Sequence, residues 1–149
     1  MIVDDADFEL VNQYVLFEHP CGYAIGYMKR EFCGKPCKGN YELIHRVIMG
    51  VKKDRFVDHI NHNKLDNRRS NLRVCTKGQN NANKRAFHVI GGRKYKGVSR
   101  DSNGTWRARI KVHSVERHIG VYRTPQEAAI AYDQEAKKHF KEFAVLNFN

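Results

Sequence analysis

Four polar residues within positions 57–83 constrain this chain more than any other feature. Asp58 and His59 are adjacent, Asn71 follows His59 by twelve residues, and Asn80 follows Asn71 by nine. An imidazole has a pKa near neutrality and can take a proton from water. A carboxylate and an amide oxygen are hard ligands that can hold a divalent cation. The pattern therefore indicates metal-assisted hydrolysis of a phosphodiester.

The same residues have a plainer interpretation as an ordinary loop. Asn, Asp and Lys clusters are common in loops, because Asx side chains hydrogen-bond their own backbone. The order of the elements favours the chemical interpretation. Apolar Phe56 and Val57 lead into the Asp-His pair, a short alternating run follows over 71–74, and Thr76 opens a polar segment.

This stretch resembles the HNH nuclease motif, a β-hairpin followed by a helix around one metal ion. The resemblance implies that His59 is the general base and that Asn71 braces the loop. It also implies that Asp58 and Asn80 bind the metal, one Mg²⁺ or Mn²⁺ ion per active site. The likeness covers residues 1 to about 85.

The composition independently indicates a nucleic-acid partner. There are 27 Lys and Arg residues against 16 Asp and Glu, which gives a net charge of +11 and an isoelectric point near 9.7. DNA-binding domains commonly have such a charge, although RNA and anionic membranes also attract it. No apolar run approaches the roughly 20 residues that span a bilayer. We therefore expect a soluble, intracellular protein that binds double-stranded DNA and no membrane.

Four cysteines leave two interpretations open. Cys33 and Cys37 have a spacing that suits half of a zinc site, but no second compact pair follows. One alternative is a zinc site that uses Cys21, Cys33, Cys37 and His45. The other is that the thiols stay reduced in an intracellular protein. Cys75 is interpreted as a small core residue.

Residue patterns before the motif predict short regular elements. Three strands are predicted, over residues 8–11, 14–17 and 23–27. Apolar residues at helical spacing predict a helix over 41–50 that ends at Gly50. Within it, His45 and Arg46 either contact a phosphate or form a partly buried structural pair.

The strand predicted over residues 106–113 alternates apolar and cationic side chains. Its apolar members are Trp106, Ala108, Ile110 and Val112, and its polar members are Arg107, Arg109, Lys111 and His113. An antiparallel sheet can bury one face and expose the other. A helix predicted over 125–140, with Thr124 as N-cap and Pro125 in the first turn, would cover the apolar face.

The last third of the chain resembles the DNA-binding domain of plant ethylene-response factors, a three-stranded sheet with one helix. The likeness rests on Tyr95-Lys96-Gly97-Val98, Asn103-Gly104, Trp106, Gly120, Thr124, Glu127-Ala128-Ala129, Ala131-Tyr132-Asp133 and Leu146-Asn147-Phe148. It implies that the cationic face contacts DNA. The expected DNA contacts, including two arginines of the HNH stretch, are Arg68, Arg69, Lys96, Arg100, Arg107, Arg109, Lys111 and His118. The chain departs from the plant pattern at Ser99, Asp101 and Asn103, so that the plant target sequence is not expected here.

Together these patterns predict an α+β protein in three parts. A nuclease domain over 1–85 would contain a ββα-metal unit preceded by short strands and a helix. A basic linker over 86–94 would lead to a DNA-binding domain over 95–149, with a three-stranded antiparallel sheet packed on one helix.

The two resemblances imply a homing-type DNA endonuclease, encoded by a phage or mobile element and acting in the cytoplasm of a bacterial host. One metal centre per chain implies a monomer that nicks one strand, since cutting both strands would need a dimer or two visits. The alternative is a non-catalytic DNA-binding regulator with a decayed nuclease unit.

Overall fold

The computed structural model of the protein describes residues 1–33, 41–52, 54–84 and 95–148. These residues form two compact units, Met1–Thr76 and Lys77–Asn149. The described residues combine helices with small antiparallel sheets, as the α+β class predicted. The predicted linker over 86–94 lies outside the described residues, so that the predicted domain limits stay a prediction.

The first unit contains a three-stranded antiparallel sheet. Its strands lie in the order β1 (Tyr14–Glu18), β2 (Ala24–Met28) and β3 (Glu42–Leu43). Two one-turn helices flank β1 and β2, namely α1 (Phe8–Val11) and α2 (Arg30–Cys33). The strands predicted over 14–17 and 23–27 are confirmed to within a residue.

The strand predicted over residues 8–11 was wrong, because these residues form helix α1. A 3-10 turn at Asp5–Asp7 leads directly into it, and the Asn12 amide donates to the Phe8 carbonyl at 2.8 Å. Phe8 is exposed and Val11 is buried. Four residues are too few to separate a strand period from a helical one.

Helix α3 (Ile44–Met49) confirms the helix predicted before the motif. It ends at Gly50, whose φ of +59° is the left-handed conformation that favours glycine at a helix C-terminus. Two of its residues, Ile44 and Ile48, enter the core of the first unit. That core consists of Val11, Tyr14, Ala24, Ile44, Ile48, Val57 and Leu72.

The motif residues lie on and after a two-stranded hairpin in the first unit. Strand β4 (Phe56–His59) pairs antiparallel with β5 (Leu72–Cys75), in a register that places Asp58 opposite Arg73. Helix α4 (Lys77–Asn83) follows β5 in the chain and groups with the second unit. The hairpin is thus present, and the complete ββα-metal arrangement stays a prediction.

The second unit is a three-stranded antiparallel sheet with one long helix. Its strands lie in the order β6 (Val98–Arg100), β7 (Trp106–Val112) and β8 (Val115–Tyr122), and α5 (Pro125–Phe140) packs against them. The Thr124 side chain accepts from the Glu127 amide at 3.2 Å, and the Glu127 side chain accepts from the Thr124 amide at 3.2 Å. This capping box explains where α5 begins.

Small residues let helix and sheet approach closely in the second unit. Ala108, Ala128 and Ala129 are completely buried. Gly97 has a φ of +73°, and a Cβ there would lie 2.0 Å from the Tyr132 ring. Position 97 therefore accepts only glycine without rearrangement. Within the described residues, no helix is long and apolar enough to cross a membrane.

Candidate active site

His59 ends strand β4 and is almost fully buried, with 5% exposure. Its Nε2 lies 3.1 Å from Oδ1 of Asn67, which is completely buried. Asn67 is in turn anchored by its own backbone, because its amide donates to the Ile2 carbonyl at 2.8 Å. The His59 imidazole is therefore held by a side chain that has little freedom to move.

Two further rings surround His59. The His45 ring lies 5.0 Å from the His59 ring, nearly edge to face, and the Tyr23 ring lies 6.1 Å away. Tyr23 also stacks near His45 at 5.3 Å, and the Lys64 ammonium lies 4.4 Å from the centre of the Tyr23 ring. These side chains form an aromatic wall beside the candidate base.

The surroundings favour the neutral form of both histidines. Burial lowers the pKa of His59 from its ordinary 6.5, and its hydrogen bond to Asn67 and the charge of Asp58 partly oppose this. Burial also lowers the pKa of His45 to about 3, with His59 and Arg46 adding to the effect. His45 Nδ1 is buried and has no hydrogen-bond partner among the residues that the structure describes. A neutral His59 can accept a proton at neutral pH.

Asn71 closes the loop between the two hairpin strands. Its Nδ2 donates to the Asp66 carbonyl at 2.7 Å, and its Oδ1 accepts from the Asn61 amide at 3.0 Å. The Ile60 amide donates to the Asn71 carbonyl at 2.9 Å. These bonds tie Asn71 to the start and the middle of the loop, and the brace role that the HNH resemblance implies for it stays a prediction.

Asp58, the predicted metal ligand, has a cationic neighbour. Its Oδ2 accepts hydrogen bonds from Arg73 Nε at 3.2 Å and from Arg73 Nη2 at 3.1 Å. Both side chains are largely shielded from water, with 9% exposure for Asp58 and 15% for Arg73. The pair follows from the hairpin register, which sets the two residues opposite each other.

The donor atoms available for a metal are few. Among the residues that the structure describes, no three His, Cys, Asp or Glu side chains are grouped so that they could hold an ion. Magnesium commonly uses only one or two carboxylates, together with waters and substrate phosphate oxygens. The Asp58 carboxylate fits that chemistry. Asn80, the other predicted ligand, is an oxygen donor on α4 in the second unit.

Arg68 and Arg69, both predicted DNA contacts, are held by acidic residues. The Arg68 guanidinium binds both carboxylate oxygens of Asp66 at 2.8 and 2.7 Å. Arg69 binds both oxygens of Asp7 at 2.9 and 2.7 Å. About half of each arginine side chain remains exposed. Any contact of these arginines with DNA would use their outward edges.

Several predicted DNA contacts lie together on the outer face of the second unit. Arg109 stands opposite His118 in the β7–β8 register. Five residues line a shallow groove on this face, namely Arg107, Arg109, Glu116, His118 and Val121. Lys111 and Arg100 are exposed on β7 and β6.

Acidic partners from other elements reach this face, although β7 itself carries none. Arg107 Nη2 lies 2.6 Å from Asp101, in the turn after β6, and Arg109 Nη1 lies 2.9 Å from Glu116 on β8. Pairs this exposed contribute little to stability, and DNA phosphates can compete for their arginines.

Lys96, another predicted DNA contact, lies elsewhere. Its ammonium donates to the carbonyl of Ala82 in the last turn of α4. Burial lowers the pKa of Lys96 to about 8. The Asn147 side chain holds the Lys96 backbone, with Oδ1 accepting from its amide at 2.5 Å and Nδ2 donating to its carbonyl at 3.2 Å. A DNA contact by Lys96 would require its ammonium to leave Ala82.

Cys75 and the His45–Arg46 pair have contacts that indicate structural roles. Cys75 is buried, with 2% exposure, as predicted. Cys37 lies outside the described residues, and His45 packs against Tyr23 and His59. Arg46 donates to two backbone carbonyls, of Arg55 at 2.6 Å and Lys52 at 2.7 Å. The structural alternative for His45 and Arg46 is the one that the contacts support.

The sequence interpretation missed Asn67, Arg73 and Tyr23 as neighbours of the site. Nothing in the sequence separates Asn67 from the other asparagines of the loop. Arg73 could have been predicted as a neighbour of Asp58, because the two residues face each other when the two strands of the hairpin pair. Tyr23 directly precedes β2, far from His59 in the sequence, so that no local pattern indicates it.

Residues 42–82 match the family model described as HNH endonuclease. The chain is also 32% identical over 140 residues to an uncharacterized HNH endonuclease of Acanthamoeba polyphaga mimivirus. The aligned region covers 93% of this chain and 69% of that protein. The chain belongs to the HNH endonuclease family. All four predicted catalytic and metal-binding residues of this HNH endonuclease lie within the matched range. No solved structure shows a significant match to it.

Family membership makes the chain a nuclease with DNA as its substrate. The matched range contains the buried His59 imidazole, the Asn71 side chain bonded within the loop, and the Asp58 carboxylate on the same hairpin. The matched range runs from β3 into α4 and includes both strands of the β4–β5 hairpin.

Proposed function

We propose that this HNH endonuclease hydrolyses one phosphodiester of double-stranded DNA, with His59 as the general base and one Mg²⁺ or Mn²⁺ ion as cofactor. The observation that carries the proposal is the buried His59 imidazole, held by Asn67 at 3.1 Å and adjacent to the carboxylate of Asp58. Metal-assisted hydrolysis of a phosphodiester requires a positioned general base and a hard oxygen ligand for the metal, and His59 and Asp58 would supply these two groups.

His59 would take the proton of the attacking water. With Asn67 Oδ1 as acceptor, the ring proton lies on Nε2 and the lone pair lies on Nδ1. The lowered pKa of His59 keeps that lone pair available at neutral pH. Asn71 would hold the loop that carries Asn67 through its bonds to Asn61 and Asp66.

Asp58 and Asn80 would hold the divalent ion. When bound, the ion would polarise the phosphate and stabilise the departing oxygen. A carboxylate and an amide oxygen form a harder ligand set than histidine, which favours Mg²⁺ or Mn²⁺ over zinc. The Arg73 guanidinium contacts the Asp58 carboxylate from across the hairpin.

The second unit would bind the target DNA through the outer face of its sheet. Residues 77–149 hold 15 of the 27 Lys and Arg residues but only 6 of the 16 Asp and Glu residues of the chain. Arg109, central on β7, would read a base edge in the major groove, and Lys111 would contact a phosphate. The sequence likeness to the plant ethylene-response-factor domain supports this role.

The remaining proposed DNA contacts would position the duplex through its phosphates. They are Arg68, Arg69, Lys96, Arg100, Arg107 and His118. One catalytic histidine per chain supports a monomer that nicks one strand. A related HNH endonuclease in a giant virus supports an origin on a viral or mobile element and an intracellular site of action.

Incubation of the protein with supercoiled plasmid and Mg²⁺ tests the proposal. We expect conversion to the open circle, no conversion in excess EDTA, and none by Asp58→Ala with Mg²⁺. Asp58→Ala should still bind duplex DNA in a gel-shift assay. If the wild-type protein bound DNA and never nicked it, the non-catalytic regulator would be the better account.

A further inference from the structure

The contact between Arg73 and Asp58 differs from the other arginine pairs of the first unit. Arg68 and Arg69 each bind two carboxylate oxygens of their partner, at 2.7–2.9 Å. Arg73 directs both Nε and Nη2 at the one oxygen Oδ2 of Asp58, at 3.2 and 3.1 Å. Charge-assisted bonds to carboxylates are usually shorter, near 2.7–2.9 Å, and strongest when bidentate. In the Arg73–Asp58 contact, the guanidinium therefore lies at the carboxylate oxygen Oδ2 that a metal ion would also use.

The Arg73 guanidinium would repel any metal cation that approaches the Asp58 carboxylate. The two side chains are only 15% and 9% exposed, so that water screens their charges weakly. A divalent ion on the Asp58 carboxylate would be repelled by the guanidinium and would compete with it for Oδ2. The repulsion between charges grows as the effective dielectric falls, and it is twice as large for a divalent as for a monovalent ion.

We propose that Arg73 is a positioning residue that keeps Asp58 from holding a divalent cation until a DNA phosphate lies beside the guanidinium. The inference rests on the proposed function, because it takes Asp58 as a metal ligand. It adds that metal and DNA bind cooperatively, and that Arg73 is the residue that couples them.

A phosphate is the partner that suits Arg73 best. The planar guanidinium matches phosphate geometry, and a phosphate would neutralise the charge that repels the metal. The phosphate would also supply metal ligands that the protein lacks, since the described residues offer no group of three His, Cys, Asp or Glu ligands. Arrival of DNA would thus remove a competitor and add donors, and by linkage the metal would strengthen DNA binding.

Mn²⁺ binding to the DNA-free protein, measured by electron paramagnetic resonance, tests the proposal without any cleavage. We expect wild-type protein to bind Mn²⁺ weakly and Arg73→Gln to bind it at least about tenfold more tightly, given the size of the charge interaction. Arg73→Lys, which keeps the charge, should stay weak. Arg30→Gln removes one charge from an exposed position on α2 in the same unit and should leave Mn²⁺ affinity unchanged.

A second arm adds a duplex oligonucleotide to His59→Ala protein, in which cleavage is blocked. The Mn²⁺ affinity of this protein should rise when duplex is present, after subtraction of Mn²⁺ bound by duplex alone. This duplex-induced rise in Mn²⁺ affinity should be much smaller in the double variant His59→Ala/Arg73→Gln. A merely structural role for Arg73 predicts neither the tighter binding without DNA nor the reduced coupling.

Two results would overturn the inference. If Arg73→Gln bound Mn²⁺ no more tightly than wild type, while Asp58→Ala abolished binding, Arg73 would not oppose the metal and the proposed function would stand. If the double variant Asp58→Ala/Arg73→Gln bound Mn²⁺ as tightly as Arg73→Gln, the metal role of Asp58 and the inference would both fail. Far-ultraviolet circular dichroism checks the fold of each variant, and Arg73→Met, which also removes the charge, provides the test if Arg73→Gln does not fold.

Discussion

Asn67 holds the ring of His59 through a buried hydrogen bond of 3.1 Å between Oδ1 and Nε2. Asn67 is completely buried, and within the described part of the chain its Nδ2 has no hydrogen-bond partner. A buried donor without a partner costs free energy, by roughly 1–3 kcal/mol. Asn67 is therefore better suited to orienting His59 than to stabilising the loop.

Asn67→Ala should slow plasmid nicking roughly 10- to 100-fold, less than the roughly 10²–10⁴-fold that a positioned general base contributes. Asn67→Asp keeps an acceptor for Nε2 and should retain more activity than Asn67→Ala. Asn63→Ala, an exposed asparagine of the same loop, is the matched control and should nick at the wild-type rate. Equal nicking rates for Asn67→Ala and the control would show that Asn67 is not needed to orient His59.

Asn71→Ala should destabilise the first unit. It removes the acceptor of the Asn61 amide and the donor to the Asp66 carbonyl. We expect a loss of roughly 1–3 kcal/mol in the free energy of unfolding. Urea denaturation measures it, again with Asn63→Ala as control. A loss below about 0.5 kcal/mol, the size expected for ordinary surface substitutions, would show that the loop does not need this brace.

The burial of the Lys96 ammonium predicts that the stability of the protein depends on pH in the alkaline range. Its pKa is about 8 in the folded chain, against an ordinary 10.5, because burial disfavours the ammonium. Between these two pH values the unfolded chain binds more protons, so that the contribution of Lys96 to stability rises with pH.

Comparison with Lys96→Met isolates this effect. The difference in thermal midpoint, wild type minus Lys96→Met, should grow between pH 8 and pH 10.5, the two pKa values of Lys96. Lys137→Met, at an exposed position of α5, should show no such growth. A constant difference for Lys96→Met would mean that its ammonium is not buried in the folded protein.

Arg109 and Lys111 should affect DNA binding differently. Arg109→Ala should cost roughly 1–3 kcal/mol on the preferred site and reduce discrimination between sites, as loss of a base contact does. Lys111→Ala should weaken binding to all duplexes alike and reduce the slope of log affinity against log salt by about one. Gel shifts over a salt series measure both. If Arg109→Ala bound preferred and random duplexes with wild-type affinity, the outer face of the sheet would contact only water and not DNA.

Local signals in the sequence predicted much of the regular structure. Gly50 ended α3, and Thr124 with Glu127 began α5, because such caps act through neighbouring residues. The alternation over 106–112 placed Ala108 and Ile110 in the core, since strand periodicity depends only on the backbone.

Contacts between distant residues were beyond local patterns. Arg73 meets Asp58 only in one hairpin register, and Lys96 meets Ala82 only after α4 packs within the second unit. The short run Phe8–Val11 suited a strand as well as a helix until its hydrogen bonds were known. The candidate base was visible from spacing, whereas the asparagine that holds it was not.

The cleavage activity of His59→Ala tests the central claim most directly. Wild-type protein and His59→Ala are compared on supercoiled plasmid with Mg²⁺, with DNA affinity measured in parallel and His139→Ala, on α5, as a control histidine. We predict that His59→Ala loses cleavage by roughly 10²–10⁴-fold, as expected for a general base, while its DNA affinity stays at the wild-type value. Nicking by His59→Ala at the wild-type rate would contradict the account.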